Sequence, residues 1–340
     1  MSEPPESDPL SREVIIAAKL EENGITLRAK SRAVAALDRL IGSLCDIPAA
    51  FAEGVSRKKR LKDEINERLR RAQADIAERR LRGMDNAGDA LLLDVLEEKA
   101  RKQINAASVA VDALDALKAL PPPTEEAGAA APENEEAERI DEDWMNQFVR
   151  FAEDASSDDL RQLWGRVLAG EIRKRGSFSR HTLRFIAELD SKTAQNCEFA
   201  AQRLIADFIP KSDEWNSGEA LMVGLDLQRL GLLEGVGFGP RKHTTIEASG
   251  FGGILGRNWA LLLEGEVGKQ IGWDAMLLTR MGEEVFSLLE VPEVEALRAL
   301  AEALPKDGLK KIQLGTCTPG PNGNFSVGGR EVLWEASPPV

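Results

Sequence analysis

Residues 141–189 read DEDWMNQFVRFAEDASSDDLRQLWGRVLAGEIRKRGSFSRHTLRFIAEL, and they carry the strongest helix signals of the chain. Ser156 and Ser157 are good N-cap residues, and the two aspartates after them favour the first turn of a helix. Apolar residues then recur at helical spacing as far as Ile172, where basic residues and Gly176 end the pattern. This stretch therefore predicts an amphipathic helix with defined ends.

Two further helices are predicted directly after this one. Ser177 or Ser179 can cap the first of them, and Asp190 can cap the second, which is predicted to end at Pro210. Because all three helices carry apolar residues along one side, they are expected to share a core. The sequence thus predicts a central three-helix module over 140–210.

Three segments of this module, DEDWMNQF, LWGRVLAGEI and GSFSRHTL, resemble a bacterial uncharacterised family, the domain of unknown function 2806. That family is marked by an aspartate-tryptophan start, an LW-x-R-x-LAGE helix and a PGSFS-type turn. The chain departs from the pattern at Arg175, where the family usually has proline, and the turn is expected to be less rigid here. The module is also loosely similar to the abortive-infection alpha proteins of phage defence. The resemblance implies no activity.

The residues that carry the family motif are interpreted as structural. A buried Glu171 would lock the turn if Arg166, Ser177 or Ser179, or backbone amides, satisfied its carboxylate. The alternative is a catalytic carboxylate, which the lack of a partner base or metal cluster nearby in sequence disfavours. The motif set is Trp144, Leu163, Trp164, Arg166, Glu171, Gly176, Ser177, Phe178 and Ser179.

The composition excludes several classes of protein. At 340 residues and 43% hydrophobic content, two globular domains are expected. A net charge of −13 disfavours non-specific binding of the whole chain to nucleic acid or anionic membranes. No secretion signal and no membrane span is predicted, so the cytoplasm is the expected location. Three scattered cysteines and two histidines predict reduced thiols and no metal or cofactor.

Residues 57–82 predict a long polar helix with eleven basic residues against five acidic ones. Its thin apolar stripe suits packing against a partner helix, so residues 92–117 are expected to return alongside it as a coiled-coil-like hairpin. The basic face could bind nucleic acid or an acidic partner, or it could be a solvated face with intrahelical ion pairs; the lack of interleaved aromatic residues favours the latter. The candidate contacts are Arg57, Lys58, Lys59, Arg60, Arg68, Arg70, Arg71, Arg79, Arg80 and Arg82.

The rest of the chain predicts a linker and a C-terminal module. Residues 121–139, rich in proline, alanine and glutamate, predict a disordered linker. Residues 211–336 combine helices with strand-like runs at 244–248, 259–263, 273–278, 310–314 and 331–335, and resemble a winged-helix module. Near its predicted wing lies a basic cluster of Arg229, Arg241 and Lys242.

The glycine runs at 235–239 and 250–256 are interpreted as hairpin turns rather than phosphate-binding loops, because neither run opens a clear helix after a buried parallel strand. No hydrolase elbow, metalloprotease motif or kinase motif is present, and neither histidine has an evident nucleophile partner.

The sequence as a whole predicts a mainly α fold: tails at 1–10 and 337–340, a helical hairpin region at 11–120, the linker, the central module and the winged-helix-like module. The favoured function is a non-enzymatic interaction or regulatory protein of a bacterial cytoplasm, with a stress or phage-defence role. A protein partner is expected, and a homodimer is one form of it. The alternative is a nucleic-acid-binding protein, and an enzyme with a pocket between the last two modules is third.

Overall fold

The computed structural model describes residues 32–33, 35–37, 39–40, 56–82, 89–119, 139–319 and 325–336. The two tails, all but the last residue of the linker, and most of the helical hairpin region before Ser56 lie outside the described residues. The chain divides into two compact units, one ending at Ala187 and the other starting at Glu188. The family-like stretch 140–210 is therefore shared between the two units.

The first unit is helical. Besides the helical residues between 32 and 40, it contains α1 (Ser56–Leu81), α2 (Asp89–Ala119), α3 (Glu142–Asp154), α4 (Asp158–Arg173) and α5 (Arg180–Ala187).

Helix α2 is the centre of the first unit, because α1, α3 and α4 all pack against it. Helices α1 and α2 run antiparallel, and Gln73 Nε2 of α1 donates a hydrogen bond to Glu97 Oε1 of α2 at 3.1 Å. The C-terminal half of α2 buries mostly apolar side chains. Val109 and Ala113, for example, are fully buried. Burial of this kind contributes roughly 25 cal/mol for each Å² of apolar surface removed from water.

The helices of the second unit are α6 (Ser191–Ala201), α7 (Gly218–Arg229), α8 (Arg280–Phe286) and α9 (Glu293–Ala303), with a 3₁₀ turn at Asp213–Asn216. Its strands are β1 (Phe208–Pro210), β2 (Leu233–Glu234), β3 (Arg241–Thr245), β4 (Phe251–Leu255), β5 (Trp259–Gly265), β6 (Gln270–Leu278), β7 (Leu309–Pro319) and β8 (Phe325–Glu335).

These strands form two four-stranded antiparallel sheets. In one sheet β6 pairs with β1, β2 and β3; the other has the order β4-β5-β7-β8. One apolar core joins the two sheets and α9: it contains Ile271 of β6, Leu263 of β5 and Leu297 of α9, all buried.

The predictions of a mainly α fold and of a small winged-helix-like module are wrong. The described residues are 55% helical and 21% strand, and the second unit holds two complete sheets. Strand β4 was missed because Gly252 and Gly253 are typical turn residues. Here they belong to a strand, because a Cβ at Gly253 would lie 2.5 Å from the ring of Phe325 and one at Gly252 would lie 2.9 Å from the Thr245 carbonyl oxygen.

The third helix of the predicted central module is also shorter than expected. It ends at Ala201 rather than at Pro210, because residues 208–210 pair with β6 as strand β1.

Candidate functional site

The turn between α4 and α5 is built around the buried carboxylate of Glu171. Glu171 Oε1 accepts a hydrogen bond from the Gly176 N–H at 2.7 Å, and Oε2 accepts one from the Phe178 N–H at 3.2 Å. Trp144 of α3 donates its indole N–H to the Phe178 carbonyl at 2.7 Å. Two motif side chains thus hold the backbone of Phe178 from both sides. Burial raises the pKa of Glu171, while the amides of the turn oppose that rise.

Two glycines of α4 allow close packing. A Cβ at Gly165 would lie 2.6 Å from Asp112 Cβ and 2.9 Å from the Ala113 nitrogen, so only glycine lets α4 approach α2 this closely. A Cβ at Gly170 would lie 2.6 Å from the ring of Phe178. Gly165 therefore serves the contact of α4 with α2, and Gly170 serves the packing of the turn.

The serines of the motif also have local partners. Ser177 donates its hydroxyl to the Lys174 carbonyl at 2.6 Å, and Ser179 caps α5 by accepting the Thr182 N–H at 3.2 Å. Gly176 adopts a φ of +78°, which a residue without a side chain adopts at least cost. Trp164 is buried, Leu163 is half-buried and Arg166 is exposed.

A second polar network joins α2, α3 and α4. The guanidinium of Arg161 donates to Asn105 Oδ1 and to the Ala155 carbonyl, both at 3.0 Å, and to Asp158 Oδ1 at 2.7 Å. Asn105 in turn donates to the Glu153 carbonyl at 2.8 Å. Sequence analysis did not find this network, because Asn105 is distant in sequence from Arg161 and Glu153.

Three of the candidate basic contacts of α1 form intrahelical ion pairs. These pairs have exposed side chains and join residues four apart: Arg68 to Glu64, Arg71 to Glu67 and Arg82 to Glu78. Lys59, Arg70 and Arg79 are exposed as well, while the side chains of Arg57, Lys58, Arg60 and Arg80 lie outside the described part of α1. The pairing lowers the positive potential that this face can offer to a phosphate backbone.

The predicted basic cluster of the second unit is also accompanied by acidic groups. Arg229 pairs with Asp226 at 3.2 Å, Lys242 pairs with Asp207 at 3.2 Å, and Arg241 lies 3.9 Å from Asp274. Each of the three cations therefore has a carboxylate as a neighbour.

An apolar patch on α2 is the main surface feature that sequence analysis missed. Leu91, Leu92 and Val95 are 69%, 43% and 54% exposed, and the spacing of these residues places them on one side of the helix. Residues 92–117 are expected to pack alongside α1, and Leu92 begins that stretch. The exposed fractions show instead that the first turns of α2 present this side to solvent.

The thiols and the acidic groups offer no evident reaction centre in the part of the chain that is described. Burial raises the pKa of Cys197 to about 12, so its sulfur is protonated at neutral pH and is a poor nucleophile. Cys317 is a free thiol. Among the described residues, no group of three or more His, Cys, Asp or Glu side chains is placed to bind a metal ion.

Residues 118–208 match the model of a family described as "Protein of unknown function (DUF2806)". The match includes the α3–α5 region with the locked turn and extends to the start of β1. Neither a curated protein nor a solved structure matches the chain. No helix in the described ranges is long and apolar enough to span a bilayer.

In the second unit, Glu293 is a buried carboxylate that no sequence motif indicated. It starts α9, and its two oxygens accept backbone N–H groups of Ala206 at 3.3 Å, Arg257 at 2.5 Å, Asn258 at 3.0 Å and Trp259 at 3.3 Å. Glu293 therefore fixes the β4–β5 turn, as Glu171 fixes the α4–α5 turn.

Proposed function

We propose that this chain is a non-enzymatic interaction protein, and that it binds a helix of a protein partner through the exposed apolar patch of α2. The observation that carries the proposal is the exposure of Leu91, Leu92 and Val95 within two turns of one helix. Large apolar side chains scattered singly are normal on a protein surface, but a contiguous group is typical of an interaction site. The resemblance to abortive-infection alpha proteins extends the proposal to stress or phage defence in a bacterial cytoplasm.

The position of the patch supports a helix as the partner. Val95 and Ala113 are five helical turns apart at about 3.6 residues per turn, so they lie on the same side of α2. At Ala113 that side is covered by α4, which approaches it through Gly165. At Val95 the same side is open to solvent. A second helix placed end to end with α4 would cover the open part in the same way.

The energetics also favour binding. Complete burial of a leucine or valine side chain contributes roughly 1.5–3 kcal/mol relative to full exposure. The three side chains of the patch are already partly buried, so the contribution of each is smaller than that. Their sum still suits a helix that lies in an apolar groove with a few anchoring side chains.

The experiment compares the size of the complex that the full chain forms in the cell. A double variant that carries both Leu91→Glu and Val95→Glu is compared with wild type and with the single variant Arg101→Glu. The three proteins are compared by size-exclusion chromatography of cell extracts. Arg101 is exposed and lies on another side of α2, so it controls for an added acid. We expect wild type and the control to elute as a complex and the double variant to elute near the 37.1 kDa of one chain.

Equal elution of all three proteins would overturn the proposal. If the complex forms, the same chromatography of purified protein separates the two kinds of partner. A purified chain that still elutes above one chain's mass identifies the partner as a second copy, and one that does not identifies it as a different protein.

The second candidate function is nucleic-acid binding, favoured by the exposed arginines of α1. The intrahelical pairs of Arg68 and Arg71 weigh against it. A salt series with mixed DNA and RNA tests it directly.

A further inference from the structure

The second unit contains an open groove of about 710 Å³ that no motif of the sequence indicated. Strand β3, the β3–β4 turn, strand β4 and the start of β8 line it. This volume lies within the range of about 300–1,000 Å³ that is usual for ligand sites. The groove lies wholly within this unit and shares no residue with the α2 patch.

An aromatic ring lies across the floor of the groove. Phe325 packs over Gly253, because a Cβ at that glycine would lie 2.5 Å from the Phe325 Cζ atom. Beside it, Leu262 and Val327 are each 8% exposed and form an apolar base. Since Phe325 itself remains 36% exposed, its ring offers a flat apolar surface to a ligand.

Residues with hydroxyl side chains line the groove beside this apolar floor. Thr244, Thr245, Ser249 and Ser326 all line the groove. Thr244 is held in place, since its hydroxyl donates to the Gly253 carbonyl at 2.9 Å. A hydroxyl both donates and accepts, so this wall suits a ligand that itself carries several hydroxyl groups.

The charged side chains of the groove do not favour an ion. Glu247 and Arg330 have opposite charges, and His243 is exposed beside them. Arg330 is positioned by a hydrogen bond from its Nε to the Val327 carbonyl at 3.0 Å. With a net charge of −13 on the chain, long-range electrostatics also disfavour a phosphorylated ligand.

We infer that this groove binds a neutral saccharide, with one face of a sugar ring stacked on Phe325 and the sugar hydroxyls bonded to the surrounding hydroxyl and charged groups. A neutral saccharide matches each of these features, because it has an apolar ring face, many hydroxyl groups and no net charge. A sugar phosphate and an extended peptide meet only part of this description.

The test is a titration of the full-length protein with maltose, cellobiose, lactose and diacetylchitobiose, followed by saturation-transfer NMR on the sugar and by calorimetry. We expect saturable binding of at least one of these disaccharides. Phe325→Ala should weaken that binding about tenfold, which corresponds to about 1.4 kcal/mol.

Two further variants keep the test decisive. Thr245→Val removes one hydroxyl of the groove at nearly constant shape and should weaken binding severalfold. Phe238→Ala is the matched control, because Phe238 is fully exposed in the β2–β3 loop and does not line the groove. It should leave the affinity unchanged.

The inference is overturned if none of the four disaccharides binds at millimolar concentration. It is also overturned if binding is the same in Phe325→Ala and Thr245→Val as in wild type, or if a glycine-serine peptide binds with the same dependence on Phe325 and the sugars do not.

Discussion

Two buried glutamates show how single residues fix the turns of this protein. Glu171 and Glu293 lie in different units, and each accepts at least two backbone N–H groups of a turn. A carboxylate satisfies such groups better than a neutral side chain does, because hydrogen bonds to a charged acceptor are stronger. These hydrogen bonds give both buried carboxylates backbone partners.

Replacement of Glu293 by glutamine should lower the free energy of unfolding by about 2–4 kcal/mol, since glutamine cannot accept from four N–H groups and each buried group left unsatisfied costs about 1–3 kcal/mol. Chemical denaturation measures the change. Glu295→Gln is the control, because Glu295 is exposed on the same helix and should change stability by less than about 0.5 kcal/mol. Equal stability of the two variants would contradict this role of Glu293.

The pKa of Glu171 predicts a pH dependence of stability. Burial raises this pKa in the folded protein above the ordinary value of 4.5. At pH values between 4.5, the pKa in the unfolded chain, and the raised pKa of the folded chain, the folded chain holds more protons than the unfolded chain. The free energy of unfolding therefore falls as pH rises through that window. Glu171→Gln removes the titrating group.

We therefore expect the stability advantage of wild type over Glu171→Gln to be largest below pH 4.5 and to shrink as pH rises past the raised pKa. Urea denaturation of both proteins across a pH series measures this difference. An advantage that grows with pH would show that the folded-state pKa of Glu171 is lowered instead.

At the scale of helices, the approach of α4 to α2 depends on Gly165. Gly165→Ala would place a methyl group 2.6 Å from Asp112 Cβ, and such overpacking costs about 1–3 kcal/mol. Thermal unfolding followed by circular dichroism should show a lower melting temperature. Gly176→Ala is the informative comparison, because its Cβ would meet no atom within 4 Å. Any loss of stability in that variant comes only from the backbone strain of alanine at a φ of +78°. A Gly165→Ala protein as stable as wild type would mean that the helices are not in this close contact.

The starts of α4 and α6 and the end of α4 could be predicted from the sequence, because the signals that set them are local. Ser157 accepts the Leu160 N–H at 3.2 Å and Asp190 accepts the Thr193 N–H at 2.6 Å, as expected of N-caps. Gly176 follows the end of α4. Each of these interactions joins residues only a few positions apart, so sequence alone contains the needed information.

The sheets of the second unit could not be predicted in the same way. Strand β4 holds Gly252 and Gly253, whose presence in a strand is explained only by the neighbouring Phe325 and Thr245. Strand β1 ends in Pro210 and is defined by its pairing with β6, more than sixty residues later. Likewise, the patch of α2 is exposed because α4 packs on this side of α2 at Ala113 but does not bury Val95. The periodicity of apolar residues alone does not reveal how much of a helix its neighbour covers.

Charge distribution acts at the scale of the whole molecule and bears on nucleic-acid binding. The chain carries a net charge of −13, and ion pairs within α1 offset part of its basic face. We expect little binding to mixed DNA and RNA at physiological salt, and an Arg68, Arg70, Arg71 to Ala variant should behave as wild type does. Fluorescence anisotropy across a salt series measures this. Tight binding that falls steeply with salt and is lost in the variant would establish the alternative function.

Site-specific photo-crosslinking in the cell examines whether the first turns of α2 form a protein-binding face. A photoreactive phenylalanine analogue is placed at Val95 in one protein and at Arg101 in another, and both are irradiated in the cell. Both positions are exposed, but only the first lies in the apolar patch. We expect one discrete crosslinked product from position 95 and none of that mass from position 101. The same product from both positions, or none from position 95, would contradict a protein-binding role for this face.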